Sequence, residues 1–86
     1  MPATPRWKPH DVMCLNGEVV QALVRHDQDL AAKVVPLLRE HHWAVYDVDR
    51  LEILVSGKQL LLVQAKREAL AAIRIIRKQR AARPAD

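Results

Sequence analysis

In QLLLVQAKRE, residues 59–68, a glutamine and two cations stand where an apolar run gives way to an alanine-rich, charged stretch. Lys66, Arg67, Arg74, Arg77, Lys78, Arg80 and Arg83 make up half of the chain's 14 lysines and arginines, against 10 acids in total. Arginines near a helix C-terminus are favoured by the helix dipole, so Arg77, Lys78, Arg80 and Arg83 suit the end of a last helix. Lys66 and Arg67 at its start have the opposite sign, each unfavourable by ~0.3–1 kcal/mol, and only Glu68 offsets them. A phosphate or a partner's carboxylate docked there would be held by the helix amides and both cations together. Lys66, Arg67, Arg74, Arg77 and Lys78 are therefore the candidate nucleic-acid or anion-binding residues.

Other reactive side chains point to less. His41 and His42, beside Trp43, suggest a metal site with His26 or Cys14. Adjacent histidines on a helix diverge by about 100°, so a polar helix end is the preferred interpretation and no metal is assigned. Asp47 and Asp49 either alternate onto one strand face or form an acidic turn before Arg50, and the turn is preferred. Cys14 lacks the helpers of an activated thiolate, and as the single cysteine it forms no internal disulfide, which suits a cytoplasmic protein. With only Gly17 and Gly57, no glycine-rich phosphate loop is present and no cofactor is expected. The aromatics are Trp7, Trp43 and Tyr46, too few for a surface that stacks single-stranded bases.

Elements must place these groups. At 86 residues the chain makes one domain, and a domain so small buries about 60–65% of the surface its unfolded form exposes. MPATPRWKPH, residues 1–10, reads as a flexible arm, residues 11–83 as a single domain and 84–86 as a tail. Apolar positions 19, 20, 23 and 24, then 30, 31, 34, 35 and 38, follow helical spacing and predict two N-terminal helices. Asn16 and Asp29 are their caps, HDQD their connection, and Pro36 a kink in the second. From Trp43 the period changes to two, predicting an antiparallel hairpin or three-stranded meander. From Arg67 the helical period returns: Ala69, Leu70, Ala72, Ile73 and Ile76 form a stripe, with Arg67, Arg74 and Lys78 opposite. The expected fold is α+β: two helices, a hairpin or meander, and a basic amphipathic C-terminal helix. The longest apolar run, Leu60 to Val63, falls far short of the ~20 residues that cross a membrane, so no membrane partner is expected.

A loop with Gly57 as its left-handed third residue would pair Leu54 with Lys58. Leu51, Ile53, Val55, Leu61, Val63 and Ala65 then share an apolar face. Glu52, Gln64 and Lys66 fall on the other, with Glu52 and Gln64 four positions apart, about 13 Å.

HHWAVYDVDRLEILVSGKQLLLVQAKRE, about residues 41–68, resembles the centre of restriction-endonuclease-like domains of the PD-(D/E)XK superfamily, of the Mrr-like type. The resemblance implies a strand ending in Gln-x-Lys and a divalent metal, Mg²⁺, bound by an acid and the glutamine, with the lysine positioning the attacking water. By motif these are Glu52 or Asp49, Gln64 and Lys66.

Three functions follow in order of preference. The first is a small nucleic-acid-binding or regulatory protein that contacts phosphates through its last helix. The second is a protein-interaction module, dimeric or docked on an acidic surface, and the third a metal-dependent nuclease or its degenerate relative.

Overall fold

The computed structural model describes residues 6–82, and their order is five strands followed by one helix. Strand β1 is Lys8–Met13, β2 Val19–Asp27, β3 Leu30–Leu37, β4 Glu40–Asp47 and β5 Glu52–Gln59; helix α1 is Leu62–Ala82. The strands form one antiparallel sheet in the order β1-β2-β3-β4-β5. The chain is thus α+β, but without N-terminal helices and with the meander extended to five strands.

Residues 19–38 are the main correction. Their apolar positions satisfy a helical template, yet 20, 22 and 24, then 30, 32 and 34, also satisfy a period of two. Tertiary burial selects the second. Leu30, Ala32 and Val34 are buried beneath α1, and Ala22 and Ala31 are fully buried although they face away from it. HDQD is a tight turn, not a helix connection: Asp27 pairs with Leu30 across Gln28 and Asp29. Leu37 and Glu40 close a second tight turn across Leu38 and Arg39. Gln28 and Leu38 adopt left-handed backbone, with φ of +59° and +58°. Asn16 caps no helix; its Oδ1 accepts the Glu18 amide at 3.0 Å in the β1–β2 turn, where Gly17 has φ +86°.

Pro36 kinks no helix either. β2 pairs with β3 only from Leu23↔Val34 to Asp27↔Leu30, whereas β3 pairs with β4 through Leu37↔Glu40. Proline has no N–H to give a second neighbour, so it suits a stretch of β3 that has β4 on one side and no ladder on the other. The β1–β2 hairpin therefore runs on past the point where β2 leaves β3.

The supposed hairpin loop at Ser56 and Gly57 is the middle of β5, so the Leu54–Lys58 pairing does not exist. Gly57 instead pairs with Trp43, whose indole occupies the space a side chain would take: a Cβ there would lie 2.8 Å from the ring. Between Val45 and Tyr46 the β4–β5 register shifts, leaving Leu54 as a bulge. The segment 60–66, expected as a strand, is a two-residue bend followed by the first turns of α1.

One face of the sheet carries the core. Leu30, Ala32, Val34, Trp43 and Val45 pack against Ala65, Ala69, Ala72 and Ile73 of α1, with Trp7, Val55, Leu70 and Ile76 at the margin. The stripe expected on the last helix is present, and its alanines let the helix approach the strands closely. β1 begins inside the segment expected as a flexible arm, at Lys8, and Trp7 packs against the core. Residues 1–5 of that arm, Arg83 and the tail 84–86 lie outside the described residues.

Candidate functional site

Helix α1 runs back along β5 and is pinned at both ends. Near its start Glu68 accepts Trp43 Nε1 at 2.8 Å and also a hydrogen bond from Gln59. Near its end Arg77 Nη1 and Arg80 Nη1 reach the two oxygens of Asp29 at 3.2 and 2.7 Å, and Arg80 Nη2 reaches Asp47 at 3.2 Å. Arg77 also bonds the Asp27 carbonyl oxygen. These arginines tie the helix to the tips of two turns.

Asp47 organises the second of those turns. One of its oxygens accepts the amides of Asp49 and Arg50 at 3.0 and 3.1 Å, while the other meets Arg80. The Arg50 amide, opposed by partial desolvation and aided by Arg80 and the Asp49 amide, holds the Asp47 carboxyl below its ordinary range. The acidic turn expected before Arg50 is therefore built on Asp47.

The expected anion-binding residues divide into three groups. Arg77 is committed to Asp27 and Asp29. Lys66 lies second-turn on α1 rather than at its start, and its ammonium sits 5.6 Å from the Trp7 ring centroid, a cation–π contact. Arg67, Arg74 and Lys78 are exposed on the outward face of α1, and among the described residues none has a carboxylate within 4.0 Å. The helix begins at Leu62, so its first-turn amides lie one turn ahead of Lys66 and Arg67. The two cations therefore do not frame a helix-start anion site.

The residues carried over from the nuclease resemblance are not brought together. Glu52 opens β5, Asp49 lies in the preceding turn, and Gln64 and Lys66 are on α1 beyond the far end of β5. The length of the strand, about 20 Å, separates Glu52 from Gln64. These side chains do not fit a shared Mg²⁺, and the strand implied to end in Gln-x-Lys is a helix. Among the described residues no three His, Cys, Asp or Glu side chains are grouped to hold a metal ion. His41 and His42 lie on strand β4, not at a helix end, and alternate to opposite faces. His41 Nδ1 is 3.1 Å from the Leu60 carbonyl oxygen, while His42 Nε2 is 3.5 Å from Glu40.

Two features had no usable sequence signal. Asp29 and Arg77 stand 48 positions apart, and nothing local links them. A groove on the sheet face away from α1 is assembled from four strands. Among the described residues no helix is long and apolar enough to cross a membrane. No protein-family model, curated protein or solved structure matches this chain.

Proposed function

We propose that this protein binds the phosphate backbone of duplex nucleic acid through the outward face of α1. The supporting observation is the uncompensated charge of that face. Six Lys and Arg lie on α1 (Lys66, Arg67, Arg74, Arg77, Lys78 and Arg80) against Glu68 alone, and Glu68 is engaged by Trp43 and Gln59. Arg67, Arg74 and Lys78 project outward over eleven residues, about 16 Å at the helical rise, enough to meet several phosphates.

A duplex suits this face better than a single strand. Trp43 is buried, Trp7 lies against Lys66, and Tyr46 is on β4, so no ring on the outer side of α1 offers a stacking platform. Backbone contacts of this kind position a protein without reading sequence.

A salt titration of binding to a duplex of mixed sequence tests the proposal. Affinity is expected to fall steeply with log salt, and the Arg67→Ala/Arg74→Ala/Lys78→Ala variant to lose about 2–3 of the slope, near 0.9 per phosphate released. An unchanged slope would move the interface elsewhere, and no binding at low salt would end this proposal. That result would favour the protein-interaction function, which one observation supports: Leu60, Leu61 and Val63 are 69, 56 and 52% exposed side by side at the β5–α1 corner.

A further inference from the structure

The sheet face opposite α1 is not flat. Beyond the point where β2 leaves β3, the tip of the β1–β2 hairpin and the open face of β3, β4 and β5 enclose a groove of about 890 Å³. Its walls include Val12 and Leu15 of the hairpin and Val35, Leu37 and Ile53 of the sheet. Register places Lys33, Ala44 and Ser56 in one row across its floor, and His42 and Lys58 in the next. Lys58 is held by Glu40 at 3.4 Å, as His42 is at 3.5 Å. Lys33, half-buried, has no carboxylate within 4.0 Å among the described residues.

We propose that this groove binds a medium-chain acyl carboxylate, with its head group over Ala44 between Lys33 and the Ser56 hydroxyl and its alkyl chain along Val35, Leu37 and the hairpin tip. Three observations select this occupant. The small Ala44 side chain leaves room between a cation and a hydroxyl donor, the pair an anionic oxygen recognises. β4, the middle of the floor, is paired on both sides, so an extended peptide would find no main-chain partners there and its own N–H and C=O groups would be buried unmet. An acyl chain has none to satisfy. A second copy of this chain would set Lys33, His42 and Lys58 against the same cations. The volume also lies in the ordinary range for small-molecule sites, ~300–1,000 Å³. The site is on the opposite side of the sheet from α1 and does not depend on nucleic-acid binding.

Amide chemical shifts of the ¹⁵N-labelled full chain, titrated with decanoate, 1-decanol and octanoate, test the inference. Decanoate is expected to shift Leu15, Val35, Ala44 and Ser56, and to bind about tenfold more tightly than octanoate, as two further buried methylenes require. Decanol is expected to bind at least fivefold more weakly than decanoate. Lys33→Met, which keeps an apolar stem, should erase that difference, and Ala44→Leu should block both ligands. Ser56→Ala, expected to weaken decanoate alone, tests the head-group position independently should Ala44→Leu unfold. Equal affinity for decanoate and decanol in the unsubstituted protein, shifts centred on Leu60 to Val63, or no shifts at millimolar decanoate would each overturn the proposal.

Discussion

Gly57 and Trp43 show how narrowly single residues set this structure. The indole lies flat enough over Gly57 that a Cβ would come within 2.8–2.9 Å of three ring atoms, and the ring cannot move away without giving up its 2.8 Å hydrogen bond to Glu68. Gly57→Ala is therefore expected to destabilise by about 1–3 kcal/mol despite the better strand propensity of alanine. A drop in urea midpoint at unchanged slope would register it, and an unchanged midpoint would mean the ring shifts freely. Asp47 is a second such residue, 8% exposed and bonded to two amides and Arg80. Its folded pKa lies below the unfolded one. Its contribution is thus complete above the unfolded value of about 3.9 and is lost as pH falls through the folded value. Denaturation curves between about pH 5 and pH 2 should show a steeper loss in the unsubstituted protein than in Asp47→Asn. Parallel losses would remove Asp47 from acid sensitivity.

At the scale of elements, the turns explain why β2 and β3 were expected as helices. Tight hairpin turns favour glycine or asparagine at left-handed positions, but here those positions are Gln28, Leu38 and Leu51, with φ of +59°, +58° and +54°. The usual punctuation is missing, and a helical template fits the apolar residues without a break. One signal was present: Asn16-Gly17 marks the β1–β2 turn, as that dipeptide does in hairpins generally. Leu38 is fully exposed and packs on nothing, so its left-handed backbone carries a steric cost of roughly 1–2 kcal/mol with no compensating contact. Leu38→Gly is expected to stabilise the protein by about 0.5–1 kcal/mol after glycine's larger unfolded-state entropy is subtracted. Thermal melting that moves down instead would show the leucine to be favourable. Helix α1 was legible because Ala, Leu, Lys, Arg and Gln dominate it and its stripe is periodic. Its start was misplaced because Leu60 to Val63 reads as strand by composition, although β5 has already ended at Gln59.

For the whole molecule, α1 supplies one side of a single two-layer core, so helix and sheet depend on each other. Without α1, Leu30, Val34, Trp43 and Val45 would lose the cover that buries them. A chain ending at Leu61 is expected to lack the sheet's circular dichroism and dispersed amide spectrum, and a folded truncation would show that the sheet stands alone. Charge is segregated in the same way: the turn acids Asp27, Asp29 and Asp47 collect Arg77 and Arg80, which leaves Arg67, Arg74 and Lys78 as the uncompensated cations of the helix. Both sheet edges carry features that discourage edge pairing, Lys8 and Pro9 on β1 and the Leu54 bulge on β5. Composition and periodicity alone establish a small basic α+β domain, an aliphatic core and a basic amphipathic last helix, because those properties are local and repeat along the chain. Which cations stay unpaired, whether 19–38 is helix or strand, and the groove across β3 to β5 are decided by contacts between residues far apart in sequence. Burial against α1 outweighs a local preference of a few tenths of a kcal/mol per residue, and no spacing rule reaches from Asp29 to Arg77.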